Sequence, residues 1–384
     1  MKKLGPFVLV ACLVLTFALA GPAVIRAQGS PVVLNNSIES EFPLSLKFNL
    51  SAASDANITD VRLCYEIRRE SFVKVTSEVY VDFLPSTRVD VSSTLNMIRI
   101  GGLPPGTGLT YWWELHDADG NQLETDPVQV QFDDNRYSWQ KLTQDKVTLY
   151  WYDGDQSFAQ QLIAAAQQAL VRLAGDTGAL LNQPVKIYVY SSAQDLQGAL
   201  IFPKEWTGGV TFAEYGVIAI GISPDSTDWG GRAISHELTH VVNHQMTSNP
   251  YSGLPTWLDE GLAKHNEGPI EQGDIDILNK AIAQKNLVSL RSICSGFSAY
   301  PDLASLSYVE SWSAVDFLIH NYGEPKMLEL LNTIKQGRGY DEAFNKVYGF
   351  DIDGLNSIWQ NYLSKNPPSP THFGQVREPA VAVY

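Results

Sequence analysis

The sequence contains few cysteines and little positive charge. Three cysteines occur in 384 residues, and Cys64 and Cys294 lie far apart, so the chain has neither a disulfide framework nor a CxxC zinc motif. Lysine and arginine total 27, against 42 aspartates and glutamates, and the net charge is −15. Phosphate binding needs clustered basic residues, and the sequence has no such cluster. We therefore expect no nucleic-acid partner.

Long apolar runs are absent after about residue 30, so no later segment is predicted to span a membrane. Residues 1–27 combine a basic start, an apolar run from about Phe7 to Ala20, and small residues, which is the pattern of a secretory signal peptide. Cleavage is predicted after Ala20 or Ala27. An uncleaved anchor is the alternative, although the run is shorter than the roughly 20 residues of a spanning helix. We expect a secreted or cell-surface protein whose mature chain has no membrane span.

Residues 30–135 are rich in short segments of β type. These segments are "LSLKFNLSA", "DVRLCYEIR", "VKVTSEVYVDF", "TYWWELHDADGN" and "VQVQF", and Gly, Pro, Asn and Asp bound them. Their spacing predicts a β-sandwich. The run "GLPPGTGLTYWWELHDADGN" resembles the turn, strand and hairpin of fibronectin type III or immunoglobulin-like modules. We predict a domain of that type here.

Residues 139–365 alternate between strand and helix patterns. "KVTLYWYDG" and "PVKIYVYSS" read as strands around a helical segment, and "GGVTFAEYGVIAIGI" reads as two strands that turn at about residues 214–216. The periodicity is helical from Ile275 to about Ser364. Together with the N-terminal strands this predicts an α+β fold, with a mixed sheet before a C-terminal helical subdomain. Residues 366–384 are expected to form an unpacked tail.

Histidines are scarce but clustered. The chain has 7, and three of them lie in "GGRAISHELTHVVNHQM", residues 230–246, which is predicted to be helical. His236 and His240 are four residues apart, so they share one face of a helix and both imidazoles can reach one ion. Glu237 is rotated by about 100° from His236, where it can reach water beside the metal instead of the metal itself. This His-Glu-x-x-His pattern predicts a catalytic zinc site.

A catalytic zinc needs a third protein ligand and an open position. The downstream candidates are His244, Asp259, Glu260, His265 and Glu267. A metzincin would place a histidine at position 246, where this chain has Met246. His244 continues the same helix face, but three consecutive turns of a straight helix do not converge readily on one tetrahedral ion. We interpret His244 as a core residue or as a neighbour of the ligands.

Glu260, in "LPTWLDEGLAKH", is the better candidate for the third ligand. The twenty residues after His240 are enough for a loop and a returning helix, and Pro255 and Thr256 suit the start of such a helix. A small Gly261 beside Glu260 allows close approach to the histidine helix. Asp259 would point about 100° away, toward the outer side of a ligating histidine.

The segments "HELTHVVNHQ" and "PTWLDEGLAKH" resemble the gluzincin branch of zinc metallopeptidases, in particular the secreted bacterial peptidase MA-like families. Their third ligand is the Glu of a Trp-x-x-Glu-Gly segment, which corresponds to Trp257, Glu260 and Gly261. The resemblance covers roughly residues 145–365 and implies a zincin-type metallopeptidase domain. Lys264 departs from the thermolysin-like pattern, which has a carboxylate there. The partner of the histidines is therefore Asp259 or a residue downstream.

The resemblance implies one catalytic Zn²⁺ held by His236, His240 and Glu260. The ion would polarise a peptide carbonyl and lower the pKa of its water toward about 7. Glu237 would act as the general base and pass the proton to the leaving amine. By similarity to gluzincin aminopeptidases, Tyr308 would stabilise the oxyanion. A half-buried core tyrosine is the other interpretation of Tyr308.

These residues predict a secreted zinc metallopeptidase acting on peptides or proteins. The substrate is expected to add as a strand along the edge formed by "GVTFAEYGVIAIGI". No Gly-x-Met-Glu-Asn loop is present, which favours an endopeptidase over an aminopeptidase. The alternatives are a surface binding or adhesion protein with a structural or silent zinc site, and a peptidase restricted to one envelope protein. Glu237 argues against the former, because a structural zinc has no use for a base.

Overall fold

The computed structural model describes residues 29–70, 72–203 and 208–368. The predicted signal peptide lies outside this part of the chain, and so does the predicted tail beyond Pro368. Among the described residues, no helix combines the length and the apolar character needed to cross a membrane.

Seven strands form the N-terminal part. They are β1 (Val32–Glu41), β2 (Ser45–Ile67), β3 (Ser77–Tyr80), β4 (Ser86–Asn96), β5 (Thr107–Asp117), β6 (Gln122–Glu124) and β7 (Val128–Phe132), with the short helix α1 (Met97–Ile100) after β4. All their pairings are antiparallel. The sequence predicted β5 and β7 but missed β1 and β4, whose exposed, polar residues weaken the apolar alternation.

Strand β2 is one continuous strand where the sequence predicted two. Residues 45–53 pair with β1 and β4, and residues 58–67 pair with β5, while β3 also pairs with this second half. The seven strands therefore form a single sheet instead of the two separate sheets expected for a sandwich. Side chains from its two halves still pack into one core, in which the rings of Phe48 and Tyr111 lie 4.8 Å apart.

The C-terminal part contains a second, five-stranded sheet. Its strands are β8 (Gln140–Gln144), β9 (Val147–Trp151), β10 (Val185–Tyr190), β11 (Gly209–Phe212) and β12 (Val217–Gly221), in the order β11-β12-β10-β9-β8. The central strand β10 is parallel to β9 and β12, whereas the edge strands β8 and β11 are antiparallel to their neighbours. The predictions of a mixed sheet and of an α+β fold class are confirmed.

Helices pack against this sheet and extend to the C-terminal end of the described chain. They are α2 (Gln156–Thr177), α3 (Ala193–Gln197), α4 (Thr227–Thr247), α5 (Thr256–Asn266), α6 (Gln272–Gln284), α7 (Pro301–Tyr322), α8 (Glu324–Lys335), α9 (Tyr340–Tyr348) and α10 (Ile352–Lys365). Helix α2 shows how local chemistry sets their ends. The Asp155 side chain accepts a hydrogen bond from the Phe158 amide at its start, and Gly178 ends it with a φ of 70°.

The two faces of the five-stranded sheet pack against different partners. In β10, Ile187 and Val189 join a core with the helices, whereas Tyr188 and Tyr190 join a core with the N-terminal sheet. This division follows from the two-residue period of a strand. Polar contacts cross the same junction, since Tyr190 donates a hydrogen bond of 2.9 Å to Asp134. The N-terminal sheet is therefore fixed to the sheet that carries the site.

Candidate metal centre

Helix α4 places one face on the sheet and the opposite face toward a cleft. Ile234, Leu238 and Val242 are buried in the core shared with the sheet. The helix lies close to the sheet at Gly230, where a Cβ atom would lie 2.5 Å from Ile222. His236 and His240, on the other face, are half-buried with 17% and 15% of their side chains exposed. The predicted helix and its histidine face are thus formed.

The structure brings His236, His240 and Glu260 together. Glu260 Oε2 lies 3.3 Å from His236 Nε2 and 3.6 Å from His240 Nε2. One ligand atom from each residue lies within 4.8 Å of the others. Helix α5 delivers Glu260 by packing tightly on α7, since a Cβ atom at Gly261 would lie 2.5 Å from the Ser311 carbonyl oxygen. The glycine beside the carboxylate therefore allows a close approach to α7, whereas the sequence predicted a close approach to the histidine helix α4.

A carboxylate holds the outer nitrogen of each histidine. His240 Nδ1 lies 2.9 Å from Asp259 Oδ2, and His236 Nδ1 lies 2.9 Å from Glu267 Oε1. Asn243 donates a further hydrogen bond of 2.7 Å to Asp259. A carboxylate on Nδ1 favours the tautomer whose Nε2 lone pair is free, and both Nε2 atoms point toward Glu260.

The sequence predicted Asp259 or a residue downstream as the partner of the histidines, but it named Glu267 only as a candidate ligand and did not assign its contact with His236. A signal was present, because Glu267 follows Glu260 by about two helical turns and therefore lies on the same side of the segment. Lys264, which replaces the expected carboxylate, binds Glu267 at 3.1 Å, and Arg232 binds it at 3.3 Å. The carboxylate that contacts His236 is therefore that of Glu267, three residues after Lys264. Lys264 and Arg232 both pair with it and hold it in position.

The charges of the site favour protonated histidines when no metal competes. Burial disfavours the charged form of His236, but the carboxylates of Glu260 and Glu267 outweigh it and raise its pKa to about 9. Burial of His240 is outweighed in the same way by Asp259, and its pKa rises to about 10. Burial also opposes ionisation of Asp259, yet the neighbouring His240 lowers the Asp259 pKa. A metal must therefore displace protons from both rings.

The donor set fits a catalytic zinc. Two imidazole nitrogens and one carboxylate oxygen are a ligand set of catalytic zinc sites, which keep a further position open. Glu260 Oε2 is buried and has no hydrogen-bond partner, so a cation would satisfy it. Within the described ranges, no other group of three histidine, cysteine, aspartate or glutamate side chains has this spacing.

Glu237 faces the strand β11. Thr211 Oγ1 lies 2.6 Å from Glu237 Oε2 and donates a hydrogen bond to it. Gly209 leaves room for the carboxylate on the same strand, since a Cβ atom there would lie 2.8 Å from Glu237 Oε1. The carboxylate is therefore oriented by the sheet edge on one side and borders the cleft on the other.

Tyr308 reaches the same cleft from α7. Its ring centroid lies 6.4 Å from that of His236, and Phe297 packs edge-on against it at 4.8 Å. Burial, together with the charge of Glu260, raises the Tyr308 pKa to about 12. The phenol is therefore protonated at neutral pH and available as a hydrogen-bond donor.

The cleft around these residues has a volume of about 900 Å³. Its walls come from α4, from β11, from residues 248–254, and from Arg69, Glu70 and Phe72 of the N-terminal part. His244 lines it as well, with 32% of its side chain exposed, and does not join the ligand group. The sequence left open a core position and a position beside the ligands, and the structure places His244 in the wall of the cleft that contains them. His265 lies elsewhere, 3.5 Å from Asp316 and 3.6 Å from Asp176.

The fold and the site together define a peptidase of the zincin type: a helix with paired histidines beside a mixed sheet, and a carboxylate from the following helix. The family model of the Peptidase MA superfamily matches residues 165–365, slightly more than half of the chain. The chain belongs to this superfamily. No curated protein matches it.

Three solved structures illustrate the distant similarity of this chain to known proteins. The M1 zinc metallopeptidase from Deinococcus radiodurans is 12% identical with a TM-score of 0.36, covering 88% of this chain and 96% of that one. Wild-type OgpA from Akkermansia muciniphila is 9% identical with a TM-score of 0.22, covering 28% of each chain. The third fibronectin III domain of human KIAA0343 is 10% identical with a TM-score of 0.20, covering 31% of this chain and 95% of the domain. The matched region thus spans less than a third of the length of OgpA.

Proposed function

We propose that this protein is a secreted zinc metallopeptidase of the gluzincin type that hydrolyses internal bonds of peptides or proteins. The observation that carries the proposal is the convergence of His236, His240 and Glu260 beside Glu237 in one cleft. Membership of the Peptidase MA superfamily supports it. A carboxylate that borders the metal position without belonging to the ligand group favours a catalytic over a structural zinc.

His236, His240 and Glu260 would hold the zinc. When bound, the ion supplies a Lewis acid that polarises a peptide carbonyl and makes water a better nucleophile. Asp259 and Glu267 keep the two imidazoles oriented through their Nδ1 atoms. Five side chains would therefore contribute to zinc binding: three as ligands and two that orient the histidines. They come from α4, from α5 and from the residue that follows α5.

Glu237 is the proposed general base. Its carboxylate accepts the proton of the attacking water and delivers it to the nitrogen of the leaving amine. Thr211 fixes one carboxylate oxygen and leaves the other for this proton transfer. Tyr308 is the proposed donor to the oxyanion, because its phenol stays protonated at neutral pH and borders the same cleft.

The substrate is proposed to bind as an extended strand along β11. The sequence predicted that the segment "GVTFAEYGVIAIGI" forms the edge of the sheet. In the structure its second strand, β12, lies between β11 and β10 and is buried, so β12 is not at the edge. Of these two strands, β11 is the one at the edge of the sheet, and its residues Gly209, Val210 and Thr211 line the cleft. An edge strand offers backbone amides and carbonyls to an added chain, with no requirement for a particular side chain.

Glu237→Gln is the decisive variant for this proposal. Zinc stoichiometry and cleavage of a mixed peptide library are measured for wild type and variant. We expect one zinc in each, and cleavage reduced in the variant by a factor of about 10² to 10⁴, the usual contribution of a general base. A variant that keeps both zinc and full cleavage contradicts the mechanism. A wild type that binds one zinc and cleaves nothing favours the binding-protein or single-substrate alternative.

Export from the cytoplasm is part of the proposal. It rests on the basic start and apolar run of residues 1–27. Expression of the full chain in a bacterial host, followed by N-terminal sequencing of the exported protein, tests it. We expect a new N-terminus at Gly21 or Gln28, whereas an intact chain retained in the membrane supports the anchor alternative.

A further inference from the structure

One end of the cleft is formed by the N-terminal part of the chain. The segment after β2 brings Arg69, Glu70 and Phe72 to the cleft wall, where they face His244 of α4. Glu70 Oε2 lies 3.6 Å from His244 Nε2. The same cleft contains the metal ligands and Glu237. A substrate that extends from the metal along α4 therefore meets side chains of the N-terminal part.

Backbone contacts hold this segment in place. The Arg68 amide donates to the Gly108 carbonyl at 2.8 Å, and the Glu70 amide donates to the Glu214 carbonyl at 2.6 Å. Arg69 Nη1 lies 3.4 Å from the Glu214 carboxylate. The first contact ties the segment to β5, and the others tie it to the turn between β11 and β12. Glu70 is thus positioned by both parts of the chain.

The electrostatics at this end of the cleft favour a cation. Arg69 pairs with Glu214, so that these two charges balance. Glu70 keeps 43% of its side chain exposed, and among the described residues its carboxylate lies 3.6 Å from the His244 ring. His244 Nε2 has no hydrogen-bond partner there. A cationic substrate group can contact the exposed face of the Glu70 carboxylate, where a charge-assisted hydrogen bond is stronger than a neutral one.

The distance from the metal position sets which substrate residue would reach Glu70. His244 follows His240 by four residues, a rise of about 6 Å along the helix. An extended peptide advances about 3.3 Å per residue. The contact therefore falls about two residues from the bond that is cut.

We propose that Glu70 is a specificity residue: it selects a lysine or arginine side chain about two residues from the scissile bond. The proposal rests on the proposed function and adds to it the substrate class and a role for the N-terminal part. It also implies that one substrate side chain contacts residues from both halves of the protein, namely Glu70 and His244.

The test compares kcat/KM for matched peptides carrying lysine, norleucine or glutamate at each position within three residues of the cleavage site. We expect wild type to prefer lysine over norleucine about tenfold at one position. Glu70→Gln should reduce that ratio toward one, and Glu70→Lys should reverse it in favour of glutamate. The ratio is informative because a general folding defect lowers cleavage of all the peptides together. An unchanged ratio in both variants overturns the proposal.

Glu124→Gln is the matched control, since Glu124 is an exposed glutamate on β6 of the same N-terminal part and does not line the cleft. It should leave the lysine preference as in wild type. Binding of the same peptides, fluorescently labelled, to the Glu237→Gln variant separates this proposal from the proposed function. Lysine-dependent binding that requires Glu70, without cleavage by wild type, supports the subsite and contradicts the peptidase. Cleavage without any charge preference supports the peptidase and contradicts the subsite.

Discussion

Each histidine of the site is held between two carboxylates. His236 lies between Glu260 and Glu267, and His240 lies between Glu260 and Asp259. One carboxylate of each pair faces Nε2 and the other faces Nδ1, so that the ring cannot turn without losing a partner. Sidechains fixed in this manner bind a metal without first having to be ordered.

Glu267→Gln should weaken zinc binding, because the amide holds the His236 ring less firmly and does not increase its basicity. We expect the affinity to fall by a factor of about 10 to 100. Competition with a chromogenic chelator measures it. Glu271→Gln is the control, since Glu271 also contacts Arg232 but is not a partner of His236. Equal affinities in the two variants would contradict the role given to Glu267.

The buried carboxyl group of Glu310 is expected to make the free energy of unfolding depend on pH. Burial raises its pKa from 4.5 to about 8, although the Val288 amide donates to both carboxylate oxygens. Because the folded-state pKa is the higher one, the stabilisation is complete below pH 4.5 and is lost as the pH rises through 8. The loss amounts to at most about 5 kcal/mol.

Glu310→Gln should abolish this dependence, since the amide carbonyl still accepts from Val288 and carries no charge. Urea unfolding of wild type and variant between pH 5 and pH 9 measures the difference in the free energy of unfolding. We expect the variant to gain on wild type as the pH rises. A constant difference over this range would show that the folded state does not raise the Glu310 pKa.

At the scale of elements, close helix packing sets the position of the third ligand. Helix α5 is short, and its apolar residues Trp257, Leu258 and Leu262 are buried against the other helices. Gly261 lets its backbone reach α7, which carries Tyr308. This contact between α5 and α7 therefore fixes the distance between Glu260 and Tyr308.

Gly261→Ala should separate α5 from α7, because the new methyl group would lie 2.5 Å from a backbone oxygen that has no freedom to rotate away. We expect a loss of stability of about 1 to 3 kcal/mol and weaker zinc binding. Thermal unfolding and zinc titration measure the two effects.

Gly273→Ala provides the contrast in α6, where a Cβ atom would meet nothing within 4 Å. This variant should gain up to about 1 kcal/mol from the higher helix propensity of alanine. Were both variants destabilised to the same extent, the tight α5–α7 contact would not be the cause.

At the scale of the whole molecule, the N-terminal sheet covers the second face of the five-stranded sheet. Tyr188, Tyr190, Val217 and Ala219 are buried in the core that both sheets share. The predicted regions 30–135 and 139–365 are thus joined by a packed interface, and the arrangement leaves the cleft open beside the junction.

Removal of the N-terminal sheet should therefore damage the peptidase part. A chain that begins at Ser138 would expose the apolar and aromatic side chains of β10 and β12 to water, and exposed patches of this kind promote aggregation. We expect an aggregated product that binds a hydrophobic dye, as judged by size-exclusion chromatography and fluorescence. A soluble monomer with the zinc affinity of the full chain would show that the two parts fold independently.

The sequence alone determined the local half of the site. A spacing of four residues places His236 and His240 on one helix face in any fold that contains the helix, and Pro255 with Thr256 marks where α5 begins. The α+β class followed from strand and helix periods for the same reason, since each period depends on neighbouring residues only. The missed strands β1 and β4 lack such a period.

Only the tertiary structure decided which distant residues complete the site. The contacts of Glu267 with His236, of Thr211 with Glu237 and of Glu70 with His244 join residues that are 26 or more positions apart. No local pattern encodes such contacts, because they depend on how α4 packs on the sheet and how the two sheets share a core. The same packing explains why the strand pattern of residues 30–135 gave no sign that this region reaches the cleft.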